Sequence, residues 1–225
     1  MTGMRALPTM VLALLSWPHD STGQATTNVA VETEAGSPPT APKEDPKRWD
    51  FSASVSTYVV PDSREYVQPT FTADRDWLHL EARYNYEALE TGSAWIGYNF
   101  SVGDTLTFAV TPMLGGVFGE TFGIAPGYLA SLGWWKLELS TEGEFMFDVG
   151  SSEDGFFYAW SELTLAPTDW LRLGLAVQRT KLYQTDFDVQ RGFVVGFNYR
   201  WADLAAYVFN PDDEPTFVVA VEVRF

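Results

Sequence analysis

The sequence predicts an all-β protein, a transmembrane antiparallel up-and-down β-barrel of twelve strands, with ten or fourteen as the neighbouring even counts. Three observations predict it. From Trp49 onward apolar residues recur with period two, the period of a strand and not the 3.6 of a helix. One register runs unbroken from Trp135 to Val149, with Trp135, Leu137, Leu139, Thr141, Gly143, Phe145, Phe147 and Val149 on one face and Lys136, Glu138, Ser140, Glu142, Glu144, Met146 and Asp148 on the other. That run exceeds the roughly six residues of an ordinary globular strand and reaches the about 9–11 that a membrane-crossing strand needs. The last segment, Thr216 to Phe225, alternates in the same way and ends on an aromatic residue.

The N-terminal region comes first in order. Residues 1–25 carry one cation, Arg5, then an apolar run from Leu7 to Trp17 and a small-residue stretch ending at Ala25. This is the pattern of a secretory signal peptide. Residues 26–48 are rich in Thr, Ala, Glu, Pro and Lys, bury too little to repay ordering, and read as a disordered leader. The barrel is expected over 49–225. The chain has no cysteine, so neither disulfides nor cysteine ligands are available. No apolar run reaches the about 18 residues of a membrane helix, so any membrane crossing falls to strands.

Strands are expected at 49–59, 66–73, 77–87, 93–101, 104–114, 121–130, 134–149, 156–165, 170–180, 187–199, 203–209 and 216–225. Segment 121–130 holds Gly123, Pro126 and Gly127, and its proline must sit where no ladder bond is needed. The turns alternate between two classes. Short ones are read at 72–76, 101–104, 131–133, 166–169 and 200–203, and more variable ones at 60–65, 88–92, 115–120, 150–155, 181–186 and 210–215. An even strand count puts both ends of the barrel segment on one side. The aromatic residues suggest two interfacial girdles: Trp77, Trp134, Trp135, Trp170 and Trp201 at the short-turn end, and Tyr58, Tyr84, Tyr86, Tyr158 and Tyr183 toward the other.

With these features in place, residues 49–225 resemble bacterial outer-membrane β-barrel proteins, and Val221-Glu-Val-Arg-Phe225 looks like their C-terminal assembly signal. The resemblance implies an outer-membrane location, contact with outer-membrane lipids and lipopolysaccharide, and recognition of Phe225 by the barrel-assembly machinery. The short turns would then be periplasmic. The resemblance is silent about function.

Alternation assigns an uncharged outward face, including Leu78, Leu80, Ile96, Leu106, Phe108, Leu139, Leu163, Leu173, Leu175, Phe193, Phe197, Phe217, Val219 and Val221. Ionisable strand residues fall inside. Counted from the short turns, His79, Glu81, Arg83, Lys136, Glu138, Glu162, Arg172, Arg200, Glu222 and Arg224 form an inner network in which the signs alternate. Toward the other end Glu87, Glu142, Glu144, Asp148, Asp186 and Asp188 form an acidic mouth that would favour small cations or small solutes over anions. The net charge of −16 argues against nucleic acid as a partner.

Three functions remain open at this level. The barrel could be a narrow, cation-favouring channel, or a non-conducting cylinder with an ion-paired interior, its lumen blocked by Arg83, Trp95, Trp160 and their partners. It could also be an enzyme acting on lipid or glycan. Some outer-membrane barrels hydrolyse lipids with a serine–histidine–asparagine arrangement, but here the barrel segment holds one histidine, His79, inward at the short-turn end. Glu138 and Glu162, on adjacent strands, are the acid pair that glycan hydrolysis would use. No catalytic residue is assigned, no metal or phosphate motif is present, and no cofactor is expected.

Overall fold

The computed structural model describes residues 48–59, 65–149, 155–182, 188–212 and 214–225. The expected signal peptide and nearly all of the expected leader lie outside the described residues, as do Tyr183 and Asp186.

The chain forms a closed antiparallel barrel of twelve staves. Thirteen strand segments build it: β1 (Asp50–Val59), β2 (Tyr66–Arg75), β3 (Leu78–Tyr84), β4 (Thr91–Tyr98), β5 (Phe100–Val102), β6 (Leu106–Gly119), β7 (Gly123–Trp134), β8 (Leu137–Asp148), β9 (Phe156–Thr168), β10 (Leu171–Leu182), β11 (Asp188–Tyr199), β12 (Ala202–Phe209) and β13 (Thr216–Arg224). β4 and β5 are one stave interrupted at Asn99, since both pair with β6. Each stave pairs with its sequence neighbours, and β1 pairs with β13 to close the ring. Phe225 continues this seam. Its N–H donates to the Phe51 carbonyl at 3.0 Å, the Phe51 N–H donates back at 3.2 Å, and the two rings stack.

Several expected boundaries shift. Ser131-Leu-Gly133 is strand, not turn: β7 continues to Trp134, which pairs with Leu137 across the two-residue connection Trp135-Lys136. Gly115–Gly119, expected as loop, extends β6. Trp135 therefore ends no strand. It sits in the turn with φ 55°, a conformation that usually selects Asn or Gly. Asp76 and Arg200 hold the same place in the β2–β3 and β11–β12 connections, with φ of 60° and 48°. In β7, pairing with β8 lapses at Ala125 and Pro126 and resumes at Gly127 in the same register, so the proline falls where no ladder bond is made.

The outward face is the apolar set that alternation assigned. Ile96, Leu106, Phe108, Leu139, Leu163, Leu173, Leu175, Phe193, Phe217 and Val219 are all exposed. Trp77, Trp134, Trp135, Trp170 and Trp201 are exposed at the short-turn end, as an interfacial girdle requires. The opposite girdle needs correcting. Tyr58, Tyr86 and Tyr158 are buried inside the barrel, and of the expected set only Tyr84 is seen on the outer surface. Parity decides this, because Tyr58 and Tyr158 share the inner register of Ser56 and Trp160.

The outward face sets a stability prediction. Leu175→Arg puts a guanidinium at mid-stave against lipid, where such a charge costs about 2–4 kcal/mol. Denaturant unfolding of the barrel refolded in vesicles is expected to show that loss, whereas the same substitution at Tyr199, beside the short turn, is expected to cost less than half as much.

Candidate functional site

The interior is where ionisable and aromatic side chains converge, and they meet across the lumen. Around the ring of twelve, β3 and β8 stand four staves apart, joined through β4, β6 and β7. Arg83 of β3 nevertheless donates from Nη1 to Glu144 Oε2 of β8 at 2.9 Å, and from Nε to Glu81 Oε1 at 2.6 Å. Its guanidinium lies 4.1 Å from the centre of the Tyr86 ring and 4.6 Å from that of Trp95. One buried cation thus holds two carboxylates and two aromatic faces, the donor pattern for which arginine is suited and lysine is not.

Neighbouring groups extend this cluster. The Tyr86 hydroxyl donates to Glu142 Oε1, and its ring meets Tyr158 of β9 edge-on at 5.8 Å. Trp160 of β9 donates from Nε1 to Glu162 Oε1 at 2.8 Å, and the Tyr207 hydroxyl of β12 donates to the same oxygen at 2.9 Å. Trp160 packs edge-on against Tyr207 at 5.2 Å and Phe209 at 4.9 Å. Tyr58, Tyr158, Trp160 and Phe209 are fully buried. The gap bounded by Arg83, Tyr86, Trp95, Glu142, Glu144 and Tyr158 has no room for a water molecule.

Small residues make this packing possible. The Trp95 ring lies flat over Gly115 of β6, where an added Cβ would come within 2.4 Å of it. Gly127 of β7 lies beside the same ring. Arg172 crosses Gly196 of β11 to reach Asp203 of β12, with Nη1 and Nη2 at 2.5 and 2.9 Å from its two oxygens. Gly115→Val is therefore expected to displace Trp95 from Arg83 and to destabilise the barrel by about 1–3 kcal/mol through overpacking. Near-ultraviolet circular dichroism of the folded variant would register the changed tryptophan environment.

A second network runs from the short-turn end toward Arg83. Thr111 Oγ1 donates to Asn99 Oδ1 at 2.7 Å, and Asn99 Nδ2 donates to Asp74 Oδ1 at 2.7 Å. Asp74 Oδ1 lies 2.8 Å from His79 Nδ1, and His79 Nε2 lies 3.2 Å from Glu81 Oε2. Both ring nitrogens of His79 thus face carboxylates. Among the described residues no cluster of three or more His, Cys, Asp or Glu side chains could hold a metal ion.

The structure brings together His79, Glu81, Arg83, Glu142 and Glu144, and separately Glu162 with Arg172, Asp203 and Tyr207. Glu222 is buried and accepts from Arg224 Nε at 2.9 Å. Glu138 lies on the inner register, opposite Thr164. Two expected network members are elsewhere: Lys136 is exposed in its turn, donating from Nζ to the Pro167 carbonyl at 2.6 Å, and Arg200 is exposed in another, over Tyr199. Lys136 was expected in a strand and Arg200 at the edge of a turn, and both fall in two-residue turns outside the lumen.

The acidic mouth is also redistributed. Glu142 and Glu144 are buried at mid-stave and not at the rim, because barrel strands are staggered. Arg83, near the far end of the short β3, reaches Glu144, which lies farther from its own short turn on the longer β8. Glu87 is buried in the β3–β4 connection, where burial pushes its carboxyl above the ordinary carboxylate range. Asp148 is half-buried and Asp188 exposed. The contributions of Asp74, Asn99, Ser93, Asp203 and Tyr86 were not anticipated. The first four are polar residues on the inner face whose parity was readable, and Tyr86 follows the end of β3, where parity no longer applies.

No family model and no curated protein sequence matches the chain. Solved structures do. A KdgM porin aligns with a TM-score of 0.55 at 9% identity, covering 77% of this chain and 99% of the other. A KdgM porin in complex with disordered oligogalacturonate aligns with a TM-score of 0.54 at 9% identity, covering 78% and 99%. A loop-deletion variant of OmpT, an outer membrane protein of Vibrio cholerae, aligns with a TM-score of 0.36 at 7% identity, covering 79% and 98%. The chain therefore has the fold of outer-membrane porins.

Proposed function

We propose that this protein is an outer-membrane barrel of porin fold whose lumen is closed at rest, a membrane-spanning cylinder that does not conduct hydrated ions or solutes. The observation that carries this reading is the Arg83 bridge: one buried guanidinium joins Glu81 and Glu144 from staves four apart and lies against Tyr86 and Trp95. In this reading the N-terminal segment directs export, Phe225 is presented to the barrel-assembly machinery, and lipids of the outer membrane surround the apolar face. The test is release of a small fluorescent dye and of potassium from vesicles holding the refolded protein. Neither should leave faster than from empty vesicles. Rapid release of both through correctly folded barrels would sink the proposal.

A second reading is favoured by the charge balance of the plug. Glu142 Oε2 and Glu144 Oε1 are buried without a hydrogen-bond partner among the described residues, and the buried carboxylates around Arg83 outnumber its single positive charge. If the plug moves, the path it leaves is acidic and passes cations. An anionic sugar oligomer of the kind named with one KdgM structure does not suit this interior, because those carboxylates would repel it.

A further inference from the structure

On the outward face of the described strands, charge occurs at Arg75, Arg179 and Arg191, and all three are cations. In a chain of net charge −16 this is a sharp separation, with carboxylates inside or in connections and membrane-facing charge wholly positive. Arg75 is at the short-turn end, over the Trp49 ring. The other two are at the opposite end of two adjacent staves. Arg179 of β10 pairs with Val189 of β11, and Arg191 pairs with Val177, so the two arginines are diagonal neighbours on one face, about 7–8 Å apart at the backbone.

Both arginines are exposed, and neither makes an ion pair or side-chain hydrogen bond among the described residues. Below them the same two staves turn Leu175, Leu173, Phe193 and Phe197 outward, all exposed and apolar. Two guanidinium groups with no side-chain partner among the described residues, above an apolar slope, match an amphiphile with phosphate at its head and acyl chains beneath. A guanidinium forks onto phosphate oxygens, and two spaced in this way can bracket one phosphate from both sides.

We propose that Arg179 and Arg191 form a binding site for the phosphorylated head of an acylated glycolipid of the outer leaflet, with its acyl chains lying along Leu173, Leu175 and Phe193. The site rests on the outer-membrane reading but not on the closure of the lumen. Among the described strands the other outward positions at this end of the remaining staves carry no charge, which makes it a one-sided contact that fixes which side of the barrel meets bound lipid.

The test is affinity of the full-length barrel in detergent micelles for bis-phosphorylated lipid A, read by native mass spectrometry, with dephosphorylated lipid A and phosphatidylglycerol as the other probes. The double variant Arg179→Gln/Arg191→Gln is expected to bind lipid A about tenfold more weakly or worse. Removing the phosphates is expected to cost the wild type a similar factor and the double variant little more. Heat-dependent gel migration confirms that the variant is folded, and the vesicle-release result should not change. Unchanged lipid A affinity in the variant overturns the proposal, as does equal binding of the dephosphorylated lipid. Arginine-dependent binding of phosphatidylglycerol as tight as that of lipid A overturns the assignment to the outer leaflet.

Discussion

Arg83→Met is expected to destabilise the folded barrel by about 3–5 kcal/mol and to open the lumen to cations. Arg83 is buried and bonded to Glu81 and Glu144, which are buried themselves. Removing the cation leaves two carboxylates facing one another in a site closed to water, and breaking a buried pair on one side costs far more than the pair contributes when intact. The stacks on Tyr86 and Trp95 are lost with it. Arg83→Lys keeps the charge but not the planar fork, so it is expected to fall between wild type and Arg83→Met. Arg83→Met/Glu144→Gln is expected to recover part of the stability, because it removes one of the stranded charges. Denaturant unfolding in micelles measures the first effect and potassium flux in vesicles the second. If Arg83→Met unfolds like the wild type, the guanidinium is not what ties β3 to β8.

Trp160→Ala carries the next largest expectation, about 3–5 kcal/mol from the cavity left by a fully buried indole. Trp160 fills the space between β9 and β12, packing on Tyr207 and Phe209 while its Nε1 donates to Glu162. Truncation leaves Glu162 Oε1 with the Tyr207 hydroxyl as its remaining neutral donor. The void is bordered by polar groups and lies in a membrane-spanning cylinder, so water is expected to enter and solute release to rise. Trp170→Ala, on the outer surface at the short-turn end, is the matched control. It should leave the lumen closed and cost little stability. Equal stability loss in the two variants would contradict the interior role of Trp160.

Much of this fold is legible in the residues because period two has only two phases. Leu173 and Leu175 read outward and Arg172 inward, and the barrel agrees. The turn between β7 and β8 was not legible. Ser131-Leu-Gly133 carries turn residues, yet the chain turns at Trp135-Lys136, where neither residue signals it. Cross-strand pairing of Leu132 with Leu139 and Trp134 with Leu137 overrides the local preference. The inward side of Glu81, Arg83, Trp95 and Trp160 was legible by parity, and all four are buried. Depth was not legible, because stagger between staves brings Arg83 beside Glu144 and no single strand records it. Partners across the lumen were equally hidden: the contacts of Tyr86 with Glu142 and Tyr158 depend on closure of the ring, a property of all the strands together.

Single-channel recording in planar bilayers tests the central claim most directly, with wild-type protein and Arg83→Met measured side by side after both are shown to be folded. A plug held by Arg83 predicts a silent wild type at moderate voltage and steady, cation-selective conductance in Arg83→Met. Steady conductance in the wild type, unchanged by loss of Arg83, would contradict it.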